Sequence, residues 1–249
     1  MFILSDTQEG ADLASDIRVL VAPVAGQSPQ ANILRLDFYR VKPKQVNEFE
    51  TASREYAALL RKTAAPHAFS VWRSETGERE YLRIDACSNY TELGANPIGE
   101  EIAADRPRPV AAIDSHIENT RLLIVRVIPE ASLPFDRELP AMITITWMRS
   151  QLGKGGEFQT LAKSDLLPLM KKAGMKLFFV AQAVFGGPSS DYAIFTTLAS
   201  WAVLDGPGPL MSMGEEAYQR YRRKRNALMV SREENVYRFC EDLSYLAGV

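Results

Sequence analysis

Arginine and aspartate residues stand two positions apart in two strand-like stretches of the chain. ILRLDFYRV carries Arg35 and Asp37, and YLRIDAC carries Arg83 and Asp85. Because alternate residues of a strand point to the same side of a sheet, each pair lies on one face, opposite a row of leucine, isoleucine and phenylalanine. If that face is buried, the charges must pair or must serve a ligand, since taking an ion out of water costs several kcal/mol.

The charged row supports two interpretations. In the first, the arginines and aspartates neutralise one another in a structural ion-pair network, which needs no ligand. In the second, the row lines a polar pocket, where an arginine binds an anionic or carbonyl oxygen and Asp37 or Asp85 acts as the catalytic base. The pocket interpretation assigns substrate binding to Arg35, Tyr39, Tyr81 and Arg83, with the tyrosines as hydrogen-bonding aromatics.

Histidine and cysteine are scarce, which limits the chemistry available. His67, at the start of a predicted strand, is a candidate general base at the pocket rim; a strand-end histidine without a catalytic role is the other interpretation. With two histidines and two cysteines in the whole chain, we expect no transition-metal site. Cys87 and Cys240 are interpreted as small buried hydrophobic residues that are not bridged.

An internal repeat organises the chain. A shift of 109 positions matches Arg40 to Arg149 and Phe49 to Phe158, and a slip of two more matches Tyr81 to Tyr192. The matches keep their order and the slips fall where loops are expected, so we predict two homologous halves. The predicted domains are an irregular leader at 1–30, a first repeat at 31–128, a linker at 129–140 and a second repeat at 141–246.

Each half shows the same predicted order of elements: strand, helix, strand, strand, helix, strand. This is the split βαβ, or ferredoxin-like, unit of an α+β fold. In the second half, Pro168 is expected to kink or split the first helix and Gly174 to end it. The predicted elements cover 32–41, 44–63, 68–73, 79–87, 89–113 and 120–128 in the first half, and 142–148, 156–173, 177–185, 191–198, 213–230 and 234–240 in the second.

Two such units on one chain resemble the dimeric α/β-barrel superfamily in a fused form. That superfamily includes antibiotic-biosynthesis-monooxygenase-like, NIPSNAP-like and haem-binding chlorite-dismutase-like proteins. The resemblance covers about residues 31–246 and rests on topology and patterning. It implies that the two antiparallel sheets pack into one α/β barrel, and that the charged row faces the barrel interior while the leucine row packs on the helices.

The second half replaces the charges by neutral side chains. At the positions that match Arg35 and Asp37 it has Thr144 and Thr146, and its third strand adds Tyr192 and Thr196. We expect these four residues to form a neutral, substrate-binding wall of the interior. Because the second copy manages without the charges, the fold does not require them, and the asymmetry indicates a site in the first half.

The functional expectation follows from the charged row and the resemblance together. The protein is expected to bind a small, partly apolar molecule in the space between the two sheets. The resemblance implies cofactor-independent oxygenation or rearrangement of that molecule, so no cofactor is expected. Haem-binding members of the superfamily use an axial histidine on a second-half helix, and no histidine exists there. The alternative is a non-catalytic binding or assembly protein in which the Arg/Asp cluster is structural.

Composition excludes several other classes of protein. The formal net charge of −2 argues against nucleic-acid binding driven by bulk electrostatics. No apolar run reaches transmembrane length, so we expect no membrane partner; a homo-oligomer is compatible with the sequence. The chain is expected to be cytoplasmic. The alternative is export, if the true start lies upstream and residues 19–26 end a signal peptide.

Overall fold

The computed structural model describes residues 32–65, 68–94, 107–134, 139–206, 208, 210 and 214–246. Eight strands and six helices alternate along this part of the chain, and both halves follow the predicted order of elements. The strands are β1 (Ile33–Val41), β2 (Phe69–Ser74), β3 (Tyr81–Cys87), β4 (Ile117–Val127), β5 (Met142–Ser150), β6 (Phe178–Phe185), β7 (Asp191–Thr197) and β8 (Met229–Phe239). The helices are α1 (Val46–Lys62), α2 (Tyr90–Gly94), α3 (Pro107–Ser115), α4 (Gly155–Leu161), α5 (Leu167–Lys172) and α6 (Glu215–Leu228).

All eight strands belong to one antiparallel sheet that closes on itself in the order β1-β3-β2-β8-β5-β7-β6-β4. Each half contributes four neighbouring strands. The halves meet at two junctions, where β2 pairs with β8 and β4 pairs with β6. The closed order leaves no unpaired sheet edge, which removes the usual route by which sheets aggregate.

Apolar side chains from both halves fill the interior of this closed sheet. The ring centroids of Phe38 on β1 and Trp147 on β5 are 6.1 Å apart, although these two strands lie on opposite sides of the closed sheet. Only side chains that point inward can meet in this way. The interior cluster consists of Leu34, Leu36, Phe38, Trp72, Leu82, Leu123, Val125, Val127, Ile143, Ile145, Leu177, Ala181, Ala193, Phe195 and Tyr237.

The expectation that the charged row faces the barrel interior is therefore wrong. The leucine row of β1 points inward, and Arg35, Asp37 and Tyr39 point outward toward the helices of the first half. The second half is oriented in the same way, with Ile143 and Ile145 inward. The physical reason is the width of the barrel: eight strands enclose a space that side chains alone can fill, and apolar side chains fill it best.

The helix α1 covers the outer face of the first half. Phe49, Tyr56 and Leu60 recur at helical spacing and are buried on one side of the helix. Phe49 packs 4.7 Å from Tyr81 and 6.3 Å from Tyr39, between ring centroids. The outward row of the sheet is thus the floor of a layer between sheet and helix.

The first helix of the second half is split before Pro168, as predicted. Residues 162–166 form a single π-helical turn between α4 and α5. Proline has no N–H to donate to the preceding turn, and its ring pushes that turn open. Gly174 follows α5 with a φ of +68°, the left-handed conformation in which glycine commonly ends a helix.

No helix within the described residues combines the length and the apolar character needed to span a lipid bilayer.

A substitution at Gly186 tests how much the close backbone contact at the β4–β6 junction contributes to stability. The φ of Gly186 is +82°, and a Cβ there would lie 2.1 Å from the carbonyl oxygen of Leu122. We expect Gly186→Ala to lower the free energy of unfolding by about 2–5 kcal/mol, because it combines the left-handed penalty with a backbone clash. Urea unfolding followed by circular dichroism measures this change.

Gly174→Ala is the matched control. Gly174 has a similar φ but nothing within 4 Å of the position of a Cβ, so it should lose only about 1–2 kcal/mol. Equal losses in the two variants would mean that the close approach at the junction does not matter.

Candidate functional site

A cavity of about 440 Å³ lies between the outer face of the first-half sheet and its helices. The floor is formed by β1, β2 and β3, and the roof by α1 and α3. The cavity is lined by Arg35, Asp37, Tyr39, Phe49, Ser53, Tyr56, Ala68, Phe69, Val71, Arg83, Asp85, Ala86, Cys87, Glu92, Leu93, Val110, Ile113, Asp114, Thr120 and Leu243. This volume can hold a small molecule of up to three fused rings, and the wall of the cavity is partly apolar.

The four predicted charged residues lie together on the floor of this cavity. β1 and β3 pair so that Arg35 is opposite Asp85 and Asp37 is opposite Arg83. Charges therefore alternate both along and across the strands. The sequence prediction that these residues share one face is confirmed, whereas their predicted place between the two sheets is not.

Each arginine binds the aspartate two residues further along its own strand. Arg35 donates from Nε to Asp37 Oδ2 at 2.8 Å and from Nη2 to Oδ1 at 3.2 Å. Arg83 donates in the same way to Asp85, at 2.9 Å and 2.6 Å. Such two-point pairs are stronger and more rigid than single contacts. They make the floor neutral overall and hold both carboxylates in place.

Asp37 is the most buried charged residue of the floor, with 3% of its surface exposed. Burial raises the pKa of its carboxyl above the ordinary value, and the hydrogen bonds from Arg35 oppose this rise without cancelling it. A carboxylate that is held less firmly in its ionised form is a better proton acceptor. The arrangement favours Asp37 over an exposed carboxylate as a base.

Arg83 is held from two sides. Burial would lower the pKa of its guanidinium, but the charge and hydrogen bonds of Asp85 outweigh burial and raise it. The guanidinium also lies 3.9 Å from the centroid of the Phe69 ring, a cation–π contact. Arg83 therefore stays charged, and its position on the floor is fixed.

The two predicted tyrosines have different surroundings. Tyr39 lines the cavity, and burial, followed by the charge of Asp37, raises the pKa of its phenol. Tyr81 instead turns toward α1, where its hydroxyl donates to Glu50 Oε1 at 2.6 Å. Tyr39 remains a candidate for substrate binding, whereas Tyr81 supports the packing of α1 on the sheet.

The roof of the cavity contains residues that the sequence analysis did not select. Ser53 and Tyr56 come from the buried side of α1, and Val110 and Ile113 come from α3. The helical spacing of the α1 residues was visible in the sequence. It indicates a buried helix face, but spacing alone does not tell a packed helix face from one that roofs a cavity.

Cys87 lies at the end of β3 and also lines the cavity. Burial raises the pKa of its thiol to about 11, so it is a neutral wall residue. Both cysteines of the chain are free, as predicted. His67 lies outside the residues that the structure describes.

The predicted neutral wall of the second half does not join the charged residues. Thr144 and Thr196 face each other across β5 and β7 and are hydrogen-bonded. Thr146 is buried beside them, and Tyr192 packs 4.7 Å from Phe158 and accepts a hydrogen bond from Gln159. These residues lie under the helices of the second half, away from the cavity of the first.

The matching layer of the second half is packed with apolar side chains. Met148, Phe158 and Ile194 fill the volume that corresponds to the first-half cavity, together with Leu161, Ala162, Leu166, Leu167, Leu169, Met170, Phe178, Val180, Tyr192 and Tyr221. The two histidines of the chain are at positions 67 and 116, both in the first half.

No family model matches the chain, and no curated protein matches it.

Comparison of structures reveals several similar proteins. A "putative monooxygenase" from Lactobacillus acidophilus aligns with a TM-score of 0.62 and 9% identity, over 88% of this chain and 98% of that one. An anthrone oxidase-like protein aligns with a TM-score of 0.59 and 14% identity, over 88% and 94%. A chlorite dismutase from Candidatus Nitrospira defluvii aligns with a TM-score of 0.52 and 7% identity, over 86% and 94%. The chain shares their fold. At these identities, fold is all that the comparison shows.

Asp37→Asn tests whether the ionised, buried carboxylate of Asp37 destabilises the protein at neutral pH. A carboxyl whose pKa is higher in the folded than in the unfolded chain binds more protons when folded, so its contribution to stability falls as the pH rises above the ordinary value of 3.8. Asparagine removes this term. The melting temperature of Asp37→Asn should therefore improve relative to the wild type as the pH rises above about 4.

Glu75→Gln is the control for this comparison. Glu75 accepts a hydrogen bond from Arg238 at 2.8 Å, and this bond lowers the pKa of its carboxyl. Relative to the wild type, the melting temperature of Glu75→Gln should therefore fall as the pH rises toward the ordinary value of 4.5, the opposite of the direction expected for Asp37. If the melting temperature of Asp37→Asn instead falls relative to the wild type as the pH rises, the attraction of Arg35 outweighs burial. The pKa of Asp37 is then not raised.

Proposed function

We propose that the cavity of the first half binds a small, partly apolar molecule and catalyses its cofactor-independent oxygenation or rearrangement. One observation carries the proposal: the same layer of the fold is open and charged in the first half, but closed and neutral in the second. The contrast at matching positions, Arg35 with Thr144 and Asp37 with Thr146, indicates a local purpose for the charges rather than a need of the fold.

The residues on the floor could perform such chemistry in two roles. Arg35 and Arg83 spend only part of their N–H donors on the aspartates, so each can donate to a carbonyl or phenolic oxygen of the substrate. Asp37 could then accept a proton from an acidic C–H next to that oxygen. Negative charge that develops on the oxygen would be stabilised by the arginines.

An oxygenation by this route balances with molecular oxygen as the second reactant. The substrate itself is the reductant: its carbanion gives electrons to O₂, and a CH₂ group becomes C=O. One oxygen atom enters the product and the other leaves as water. Asp85 is the alternative base, since it lies opposite Arg35 and is also held at the floor of the cavity.

The names of two structural neighbours are compatible with this chemistry. One is called a "putative monooxygenase" and the other is anthrone oxidase-like. We further infer that the two halves are tandem ferredoxin-like repeats derived from a duplication. Their strand orders β4-β1-β3-β2 and β8-β5-β7-β6 correspond position by position, which supports that inference.

A second candidate function rests on the complete pairing of the charges. Every arginine and aspartate of the floor already has an ionic partner within the row. A protein that uses this row only to hold α1 and the sheet together, and that binds partners elsewhere, would show the same pairs.

The paired variant Arg83→Met, Asp85→Asn separates the two functions. Removing both partners avoids a lone buried charge, which would destabilise the protein by about 3–5 kcal/mol. Native mass spectrometry of the purified protein should show a retained small molecule in the wild type and its loss in the variant. The control is Arg238→Met, Glu75→Gln, which removes an ion pair outside this cavity. If the variant keeps the molecule and only melts earlier, the structural function is correct.

Asp37→Asn tests catalysis itself, with anthrone as the probe substrate. Oxygen uptake measured with an electrode should fall by about 10²–10⁴-fold, the usual contribution of a general base. Binding of the probe, measured by fluorescence titration, should change little. Unchanged oxygen uptake would exclude Asp37 as the base, and no uptake by the wild type would exclude this oxygenation.

A further inference from the structure

A second cavity, of about 650 Å³, opens at one mouth of the barrel. It lies between the ends of strands from both halves and shares none of its lining with the first cavity. Its lining consists of Phe38, Arg40, Glu78, Glu80, Asn119, Arg121, Leu123, Trp147, Met148, Arg149, Ala183, Gly186, Gly187, Pro188, Asp191, Ser231, Arg232, Glu233, Asn235 and Tyr237. We call it the mouth cavity.

Ion pairs form the rim of the mouth cavity. Arg149 donates to Asp191 at 2.6 Å and 2.9 Å, and Arg40 is paired with Glu78. Arg232 is paired with Glu234, which lies beside the lining. These three arginines are neutralised by carboxylates at contact distance, so none of them requires a ligand.

Arg121 differs from the other arginines of the lining. Its guanidinium lies 4.2 Å from the centroid of the Phe38 ring. Among the described residues, no carboxylate lies within 4.0 Å of it and no hydrogen-bond acceptor takes its N–H groups. An arginine stacked on an aromatic ring keeps its N–H edge free for a planar anion, which it can bind at two points.

Trp147 places a second open donor in the same cavity. Its ring is half-buried and tilted by 56° against Phe38. Within the described part of the chain, its indole N–H has no acceptor. The mouth cavity thus combines a flat apolar wall, an open N–H and an open guanidinium.

Two carboxylates of the lining, those of Glu80 and Glu233, have other donors. Glu80 accepts a hydrogen bond from the Tyr237 hydroxyl at 2.7 Å, and burial raises the pKa of its carboxyl. Glu233 accepts one from the Asn235 amide at 2.8 Å. These donors partly satisfy the carboxylate oxygens. Arg121 has no carboxylate at contact distance among the described residues, although its charge lowers the pKa of Glu78 and opposes the rise in the pKa of Glu80.

We propose that the mouth cavity binds a small aromatic carboxylate, with its ring against Trp147 and its carboxylate on the N–H edge of Arg121. This site is separate from the first-half cavity and serves a ligand of different charge. On the floor of the first cavity each arginine is bound to an aspartate, whereas in the mouth cavity Arg121 keeps its N–H donors free of acceptors among the described residues.

Three probes of similar shape and different charge test the ligand class: benzoate, benzamide and benzylamine. Binding is followed by the indole N–H signals of the tryptophans in two-dimensional NMR, assigned with Trp147→Phe. Benzoate should shift the Trp147 signal and leave that of Trp72, whose Nε1 donates to Ser70 Oγ at 2.8 Å. Benzamide should bind more weakly by about tenfold or more, because it lacks the charge-assisted contact. Tighter binding of benzylamine than of benzoate would overturn the proposal.

Arg121→Gln tests the anchor, and Arg126→Gln is its matched control. Both arginines are exposed residues of β4, but Arg126 lines neither cavity. Arg121→Gln should weaken benzoate binding by about tenfold to 100-fold, and Arg126→Gln should leave it unchanged. Equal effects in the two variants would show a non-specific charge effect and would refute the site. The variant Arg83→Met, Asp85→Asn should bind benzoate like the wild type; loss of binding there would place the ligand in the first cavity.

Discussion

The contact of apolar side chains across the barrel interior is the interaction on which the rest of the structure depends. Phe38 and Trp147 meet there from opposite strands, and neither half alone could bury its inward row. Burial of that row is the main favourable term that joins the halves. Once the apolar row points inward, alternation along each strand forces the other row outward, and the outward row carries the chemistry.

The sequence predicted the elements, their order and the residues that share a face. Arg35, Asp37, Arg83 and Asp85 were expected on one face of neighbouring strands, and the strand register brings them together. The prediction of which face is inside was wrong, since the leucine row and not the charged row points into the barrel. Alternation along a strand separates its side chains into two rows, but it does not show which row points into the barrel. Both the barrel interior and the layer under the helices accept apolar side chains.

The shape of the first-half layer was also beyond sequence reasoning. A cavity is the space that side chains leave unfilled, so it depends on the separation of α1 and α3 from the sheet rather than on any residue type. Ser53 and Val110 were missed for this reason. Thr144 and Thr196 were selected because they match charged residues, yet in the second half they bond to each other beneath a packed layer. Matching positions of the two halves therefore have the same backbone structure but different neighbouring side chains.

The two junctions of the closed sheet have a consequence for how the molecule could be divided. Cutting the chain between β4 and β5 would break no strand pair, since the halves are joined through β2–β8 and β4–β6. Each fragment would expose two strand edges and its share of the apolar interior, a surface that is insoluble alone but complementary to the other fragment. The fold is therefore suited to fragment complementation. Most of the lining of the first-half cavity would stay on one fragment, although Leu243 belongs to the other, and the mouth cavity would form only on reassembly.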